Sequence, residues 1–382
     1  MRPTSTIEIS QKAVKNNLTF IKKMLKGVPI SSVVKGNAYG HGISQIVPII
    51  YDSGIAHFSV FSADEAYAVQ QVVPGPSTTM IMGMIADYQL EWAIEEEVEF
   101  YVFDTKRLLD TIKAAKKCHK KALIHIELET GMNRTGFSTK ELKIVLNLIQ
   151  ESQAHIEVKG FCSHLAGAES ISNYKRVTDQ YRRFNRTKKR LQAGAFPDVT
   201  YHLACSAAAV RYPNSRLNMT RIGIMQYGFF PNKETWVHFA AKNKTSVDPL
   251  QRVITWKTVV MDTKSVKSGE FVGYGASYFT NTDTKIALIP VGYAHGFARS
   301  LSNAGRVLIR GKRFEVIGTV NMNMMSVDIT ECPEIEAGEE VVLIGEQGDL
   351  ELSVASFSEY SVQLNYELLT RLPAHIPRTI TH

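Results

Sequence analysis

A lysine at the end of a short apolar run is the residue of this chain best suited to covalent chemistry. Lys35 follows Val33 and Val34 and opens the glycine-rich segment Lys-Gly-Asn-Ala-Tyr-Gly-His-Gly at residues 35–42. An amine held at the end of a buried strand loses its proton more easily, because desolvation lowers a pKa that is ordinarily about 10.4. The neutral amine is the nucleophile that Schiff-base formation requires. The segment is equally compatible with a solvated loop lysine.

Other polar candidates stand at the ends of strand-like apolar runs in the same way. In chain order with Lys35 they are Glu127, His164, Cys205 with Ser206, and Arg221. Eight such runs alternate with stretches of helical periodicity, around residues 33, 58–60, 80–82, 100–103, 123–127, 156–162, 201–204 and 222–224. This alternation predicts an α/β fold, a (β/α)₈ TIM-type barrel, whose functional groups gather at the carboxyl ends of its strands. A doubly wound open sheet is the competing fold, but the sequence lacks a Gly-x-Gly-x-x-Gly fingerprint.

The texture of the sequence changes after about residue 245. Residues 253–260, 285–291, 307–316 and 340–344 are β-rich runs broken by turn residues, and helical signals are scarce until residues 354–370. The pattern predicts a mostly β C-terminal domain. We therefore divide the chain into a barrel at residues 1–242 and a β domain at residues 243–382, with the first strand as the one segment that could pack with the C-terminal domain instead.

The composition is that of an ordinary globular protein: 382 residues, 44% hydrophobic and 21% charged, with a net charge of +7. Lysine and arginine clusters at residues 116–117 and 188–190 lie on helical patterns, which predicts solvated faces rather than a nucleic-acid site. The four cysteines show neither metal-ligand spacing nor a disulfide framework. No apolar run reaches the roughly 18 residues of a membrane span, and the N-terminus lacks a signal-peptide core. We predict a cytoplasmic protein without metal, membrane or nucleic-acid partners.

Residues 33–42 resemble the signature of the alanine racemase family, whose lysine carries pyridoxal 5'-phosphate (PLP). The resemblance runs from residues 2–3 to residues 365–367, and its motifs arrive in the family order. Arg221 resembles the arginine that faces the ring nitrogen of the cofactor; because arginine only donates, that nitrogen stays unprotonated. His164 matches the histidine that packs behind the ring and bonds this arginine. The phosphate would be bound by Tyr39, Ser206, Gly223, Ile224 and Tyr366.

Racemisation needs a proton carrier on each face of a planar intermediate. The segment at residues 271–278 resembles the family's tyrosine loop, so Tyr274 is the expected second carrier: Lys35 would serve the D-side and Tyr274 the L-side. In the family this tyrosine comes from the partner subunit, which implies a head-to-tail homodimer with shared active sites. Arg134 and the backbone of Met322 are expected to bind the substrate carboxylate. Tyr293 would narrow the entrance.

The chain also departs from the family pattern. Glu127 stands where many relatives carry a carbamylated lysine, and we expect it to orient Arg134 directly or through a water. Cys205 replaces an asparagine, which removes one expected hydrogen bond to the cofactor. Asn323 and His295 replace aspartates, which bears on substrate preference.

The resemblance implies a PLP-dependent racemase that interconverts L- and D-alanine and supplies D-alanine for peptidoglycan. The nearest alternative is a racemase of serine or another small amino acid. A PLP-dependent amino-acid decarboxylase of the same fold is less favoured, since that plan pairs the ring nitrogen with an acidic residue and uses a cysteine from the β domain. The β domain also disfavours a non-catalytic PLP-binding protein that consists of the barrel alone.

Overall fold

The structure, a computed structural model, describes residues 3–354 and 365–382. It divides into two compact units. The first, the barrel unit, consists of Ala13–Ala38 and Ile46–Gln251. The second, the sheet unit, consists of Met1–Lys12, Tyr39–Gln45 and Arg252–His382.

The barrel unit contains eight parallel strands that close on themselves in chain order. They are β2 (Ile30–Val33), β3 (His57–Val60), β4 (Thr78–Ile81), β5 (Glu99–Val102), β6 (Ala122–Glu127), β7 (Ile156–Cys162), β8 (Thr200–Cys205) and β9 (Met219–Ile222). Such strands are covered on both faces, which explains why they appear as short continuous apolar runs in the sequence. The predicted (β/α)₈ barrel is confirmed. Its last strand begins three residues earlier than predicted and ends before Gly223.

Amphipathic helices cover the barrel. The α-helices of this unit are Ile43–Asp52, Ala63–Gln70, Leu90–Glu95, Thr105–Cys118, Thr139–Glu151, Tyr174–Gln192, Ser206–Arg211 and Lys233–Asn243, and Gln11–Leu25 precedes β2. Sequence signals set several of their boundaries. Ser138 and Glu141 form a capping box at the start of Thr139–Glu151. Asp104 accepts a hydrogen bond from the Arg107 N–H at the start of Thr105–Cys118.

The sheet unit is mostly β, as predicted. Its strands are β1 (Ser5–Ser10), β10 (Ile254–Val259), β11 (Asp262–Val266), β12 (Thr284–Ile289), β13 (Arg306–Ile309), β14 (Lys312–Ile317), β15 (Met325–Asp328), β16 (Glu340–Gln347), β17 (Leu350–Leu352) and β18 (Arg378–Thr381). One path of hydrogen-bonded strands runs β11-β12-β15-β14-β13-β16-β10-β1-β18, and β17 pairs with β16. The first strand of the chain, β1, pairs with β10 and β18.

The helical signal predicted at residues 354–370 falls partly outside the described residues, and its described part contains the helix Asn365–Thr370. Short 3₁₀ turns occupy Asp87–Gln89, Ile171–Asn173, Pro213–Ser215, Ile224–Tyr227, Tyr293–His295 and Arg299–Leu301. None of the helices within residues 3–354 and 365–382 combines the length and apolar character that a membrane span needs.

Alanine at Gly40 is expected to destabilise the sheet unit. Gly40 has a φ of +77°, and a Cβ there would lie 1.8 Å from the carbonyl oxygen of Leu369. A backbone carbonyl cannot turn aside as a flexible side chain can, so the free energy of unfolding should fall by about 3 kcal/mol or more. Urea unfolding followed by circular dichroism measures the loss.

The matched control is Gly269→Ala in the same unit. Gly269 has a φ of +87°, but a Cβ there would meet nothing within 4 Å. This variant incurs only the cost of the left-handed backbone, about 1–2 kcal/mol. Equal losses in the two variants would contradict the importance of the contact with Leu369.

Candidate active site

A left-handed turn follows Lys35 at the carboxyl end of β2. Gly36, Asn37, Ala38 and Tyr39 all have φ between 51° and 63°. For residues with a Cβ, this conformation costs about 1–2 kcal/mol each. Strained backbone of this kind concentrates at functional sites, where the surrounding structure holds it in place.

Glu65 anchors the start of this turn. Its Oε1 accepts a hydrogen bond from the Gly36 N–H at 2.6 Å, and its Oε2 accepts from the Phe61 N–H at 2.8 Å. The carboxylate thus joins the backbone after β2 to the backbone after β3. Sequence analysis missed this residue, although Ser62 and Glu65 have the Ser-x-x-Glu spacing of a helix start.

The electrostatic surroundings of Lys35 lower the pKa of its amine. Partial burial lowers the pKa of Lys35, and repulsion from the Arg134 and Arg221 guanidinium groups lowers it further, while Glu65 acts in the opposite direction. Water still reaches the side chain. Its ammonium makes neither an ion pair nor a hydrogen bond with any residue in the described part of the chain. Lys35 therefore has the lowered pKa that a nucleophilic amine needs.

Arg221 lies buried in β9 and is held by three acceptors. Its Nη1 donates to His202 Nδ1 at 2.6 Å, and its Nη2 donates to the carbonyl oxygens of Ser163 at 2.8 Å and Leu203 at 3.2 Å. Within the described residues, the predicted hydrogen bond between Arg221 and His164 is not found. Its place is taken by His202, because β8 is the strand hydrogen-bonded beside β9.

His164 follows β7 and is neutral. Burial lowers the pKa of His164 to about 3, with further lowering by the positive charges of Arg221, Arg134 and Lys35. His164 therefore adds no positive charge beside Arg221. The predicted packing of His164 against a cofactor stays a prediction.

Arg134 lies on a loop that is held by hydrogen bonds within the loop itself. Glu127 ends β6, and its carbonyl accepts from the Phe137 N–H at 2.8 Å, which closes the loop. The Glu129 carboxylate accepts from the N–H groups of Gly131 and Asn133 inside it. The Arg134 guanidinium is exposed and forms no ion pair within the described residues. It is thus available to a carboxylate ligand.

The Glu127 carboxyl group is buried and lies beside the Thr135 hydroxyl. Burial raises the pKa of Glu127, although the Thr135 hydrogen bond and the charges of Arg134 and Arg221 oppose the rise. No direct ion pair joins Glu127 to Arg134 within the described residues. The predicted role of Glu127 in orienting Arg134 stays a prediction.

Ser206 and Gly223 lie together at the carboxyl ends of β8 and β9. The Gly223 N–H donates to Ser206 Oγ at 3.0 Å. Ile224 begins the 3₁₀ turn that follows, and Cys205 pairs with Arg221 in the sheet register. The Cys205 side chain makes no capping hydrogen bond to the following helix. Serine hydroxyl and backbone N–H groups at this end of a barrel are suited to a phosphate.

The sheet unit presents Tyr274 on a loop between Phe271 and Phe279, whose rings pack edge to face. The loop is fixed by a hydrogen bond from the Thr319 hydroxyl to the Tyr274 carbonyl at 3.1 Å. The Tyr274 side chain itself is 74% exposed. An exposed phenol on a fixed loop is suited to entering another protein surface.

Met322 and Tyr293 belong to two touching segments of the same unit. The Tyr293 N–H donates to the Asn321 carbonyl at 3.0 Å, and the Ala294 N–H donates to the Met322 carbonyl at 3.0 Å. Tyr293, Met322 and Asn323 are all exposed, and the Met322 N–H has no acceptor within the described residues. That N–H is free to bind an anionic group.

Three further predicted residues of the sheet unit, Tyr39, Tyr366 and His295, have defined neighbours. The rings of Tyr39 and Tyr366 lie with their centroids 6.0 Å apart. His295 lies near His375, and burial together with the charge of that neighbour lowers the pKa of His295.

The barrel residues fit an anionic aromatic aldehyde cofactor. Arg221 has five N–H groups and uses three hydrogen bonds, which leaves donors for a ring nitrogen. Lys35 supplies an unpaired amine, and Ser206 with the backbone after β9 supplies donors for a phosphate. No cluster of metal-ligand side chains was found among the described residues.

Two family models match the chain. The model for the N-terminal domain of alanine racemase matches residues 9–231, and the model for the C-terminal domain matches residues 253–380. Among curated proteins, the chain is 32% identical over 380 residues to an alanine racemase of Halothermothrix orenii, covering 99% of this chain and 96% of that protein. It is 28% identical over 382 residues to an alanine racemase of Leptospira interrogans, with the same coverage of 99% and 96%.

Solved structures give the same result. The alanine racemase of Bacillus anthracis with bound L-Ala-P has a TM-score of 0.90 at 29% identity and covers 100% of this chain and 96% of its own. The alanine racemase of Bartonella henselae with covalently bound pyridoxal phosphate has a TM-score of 0.86 at 26% identity and covers 100% of both chains.

Proposed function

This chain belongs to the alanine racemase family and interconverts L- and D-alanine, and we propose that it uses PLP with two proton carriers, Lys35 and Tyr274. The observation that supports the proposal most is the amine of Lys35, whose pKa is lowered and which lacks a partner in the described part of the chain. When bound, PLP withdraws electrons from the substrate and makes the hydrogen on its Cα acidic.

The two carriers divide the reaction between them. Nζ of Lys35, as the neutral amine, takes the proton from Cα of D-alanine, and the Tyr274 hydroxyl delivers a proton to the opposite face. The reverse reaction runs from L-alanine with the roles exchanged. Arg221 holds its positive charge throughout and donates only, so it limits electron withdrawal at the ring and favours rapid return of the proton.

Binding groups orient the substrate and the cofactor. We propose that Arg134 and the Met322 N–H bind the substrate carboxylate and that Tyr293 restricts the entrance. The phosphate group is assigned to Tyr39, Ser206, Gly223, Ile224 and Tyr366. His164, as a neutral imidazole, packs against the ring without adding a second positive charge beside Arg221.

We propose a head-to-tail homodimer in which Tyr274 of each subunit completes the active site of the other. The exposure of Tyr274, together with that of Phe271, Phe279 and Met322 in the same unit, supports a partner surface there. A cytoplasmic location is supported by four cysteines that form no disulfide. The D-alanine produced would serve peptidoglycan synthesis.

A direct assay tests the function. Purified protein is incubated with L-alanine and PLP, and D-alanine is measured by chiral separation; parallel samples contain L-serine. We expect D-alanine without release of carbon dioxide and slower turnover of serine. Carbon dioxide release without D-alanine would instead indicate the decarboxylase, and faster racemisation of serine would reassign the substrate.

Glu127→Ala is expected to raise KM for alanine about 5–20-fold with a smaller change in kcat, because the carboxylate orients Arg134 rather than the reacting atoms. Since a glutamate is anionic without carbamylation, activity should not respond to added bicarbonate. Steady-state kinetics with and without bicarbonate measure both effects.

Glu141→Gln is the control for this variant. Glu141 is an exposed carboxylate that caps the next helix, so its kinetics should match those of the unsubstituted enzyme. Full activity of Glu127→Ala would rule out the proposed role.

A further inference from the structure

A buried chain of hydrogen bonds crosses the interior of the barrel and ends on Arg221. Glu99 at the start of β5 lies 2.7 Å from Nε2 of His125, and Nδ1 of His125 lies 3.0 Å from Nε2 of His202. Nδ1 of His202 then accepts from Arg221 at 2.6 Å. All four side chains are buried. This series of hydrogen bonds from Glu99 through His125 and His202 to Arg221, called the relay below, connects a carboxylate to the guanidinium that is expected to face the cofactor.

The arrangement of the strands allows the contact between His125 and His202. His125 lies on β6 and His202 on β8, and β7 separates these strands in the sheet. The two rings therefore meet across β7, where Gly160 stands. A Cβ at Gly160 would lie 2.7 Å from His125 Nδ1. A Cβ there would also clash with the backbone carbonyl oxygen of Thr200 on β8, so glycine is needed for the strand contact as well as for the position of the imidazole.

The donor and acceptor roles along the relay follow from its two end groups, the Arg221 guanidinium and the Glu99 carboxylate. Arginine only donates, so Nδ1 of His202 must be unprotonated, and its ring proton is on Nε2. That proton is donated to Nδ1 of His125, which must likewise be an acceptor. His125 therefore carries its proton on Nε2 and donates it to the Glu99 carboxylate. Each imidazole is neutral, and each has one possible tautomer.

The pKa shifts of the three groups agree with this assignment. Burial lowers the pKa of His202, and the charge of Arg221 lowers it further. Burial also lowers the pKa of His125 and outweighs the opposing effect of Glu99. For Glu99, burial alone would raise the pKa, but the hydrogen bonds from His125 and His57 hold it well below its usual range. The carboxyl group is thus an anion and the imidazoles are neutral.

Arg221 needs such a connection because it forms no direct ion pair within the described residues. A buried guanidinium without a nearby anion is costly. Glu127 attracts it from a distance without a hydrogen bond. Glu99 is the carboxylate that reaches it through continuous hydrogen bonds, and each bond in such a chain polarises the next.

We propose that Glu99 is a positioning residue for Arg221, acting through the two imidazoles. Its carboxylate fixes the tautomers of His125 and His202. It thereby presents the lone pair that holds the Arg221 guanidinium in one orientation. The inference rests on the proposed function, since Arg221 matters for the reaction only if it faces the cofactor ring.

The tautomers can be read directly by NMR. Long-range ¹H–¹⁵N spectra of ¹⁵N-histidine-labelled protein, with and without PLP, distinguish Nε2–H, Nδ1–H and charged rings. Signals are assigned by comparison with His125→Gln and His202→Gln. We expect both histidines as neutral Nε2–H rings in the unsubstituted protein. An Nδ1–H or charged ring at either position would overturn the proposal.

Two substitutions separate the charge of Glu99 from its hydrogen bond. Glu99→Gln keeps an acceptor oxygen, so the tautomers should persist and kcat should fall about 3–10-fold. Glu99→Leu removes the acceptor, so both histidine signals should change and kcat should fall about 10–100-fold, as for other residues that orient a functional group. KM for alanine should change less than about threefold in either variant, because Arg134 lies outside the relay.

Thr220→Val is the matched control. Thr220 precedes Arg221 on β9 and is buried, and its hydroxyl lacks a hydrogen-bond partner in the described part of the chain. This variant should leave the histidine signals and kcat unchanged. Unchanged signals and kcat in Glu99→Leu would overturn the relay. The predicted tautomers in a protein that racemises nothing would support the relay and refute the proposed function, so the two failures are distinguishable.

Discussion

Replacing Lys35 by alanine is expected to lower kcat for alanine racemisation by a factor of about 10⁴ or more, in both directions. The substitution removes the covalent attachment point and one proton carrier together. Protein absorbance should also lose the visible band that a lysine-bound PLP gives. Circular dichroism should remain unchanged, because the lysine makes no hydrogen bond within the described residues.

Lys35→Arg tests whether the amine or merely its positive charge is needed. Arginine keeps the charge but remains protonated, so it can neither attack a carbonyl group nor take a proton. This variant should be as inactive as Lys35→Ala. Lys159→Ala, which changes a lysine on β7, is the control and should keep full activity. Activity in Lys35→Arg above about 1% of the unsubstituted enzyme would contradict the role of the amine.

Tyr274→Phe is expected to have the second largest effect, a fall in kcat of about 10²–10⁴-fold, because it removes one general acid–base group and leaves the other. A second measurement, hydrogen exchange at Cα, should show that the loss affects one enantiomer of alanine and not the other. In D₂O, Lys35 should still exchange the Cα hydrogen of D-alanine, whereas exchange at L-alanine should nearly stop. Mass spectrometry of each enantiomer after chiral separation gives the two rates.

Tyr278→Phe provides a control on the same loop, because it removes a phenol that is not assigned to the reaction. It should keep both exchange rates. If Tyr274→Phe slowed exchange at both enantiomers equally, Tyr274 would not be the carrier for the L-side alone.

The barrel and its strand-end residues could be predicted because they depend on local patterns. Short apolar runs alternate with helical periodicity, and Lys35 and Arg221 each stand at or near the end of such a run. The family resemblance then assigned roles to residues that periodicity cannot distinguish, such as Tyr274. The mostly β domain after residue 245 could likewise be predicted from local patterns alone.

The relay to Arg221 could not be predicted, since it depends on long-range geometry. Both His164 and His202 lie in or next to strand-like runs, and which of them meets Arg221 is decided by the neighbouring strand and by the direction of its side chains. Sequence analysis missed three residues here: His125, His202 and Glu99. The one sequence feature that points to them is general, namely that they are polar residues within apolar, strand-like runs. Polar side chains within buried strands need partners.

The left-handed turn after Lys35 also could not be predicted from the sequence. Its glycines predict an unusual backbone, but Asn37, Ala38 and Tyr39 adopt positive φ as well. Residues with a Cβ rarely do so, and here the conformation is supported by contacts from elsewhere, including the hydrogen bond from Gly36 to Glu65. Local propensity carries no information about such contacts.

The central claim is that the two proton carriers of one active site come from different subunits. Mixing Lys35→Ala subunits with Tyr274→Phe subunits tests it directly. Each mixed dimer would contain one site with both groups intact and one with neither, so random mixing should restore about a quarter of the unsubstituted activity from two inactive parents. Activity that stays at the level of the parents, in a mixture shown by mass spectrometry to contain mixed dimers, would contradict the account.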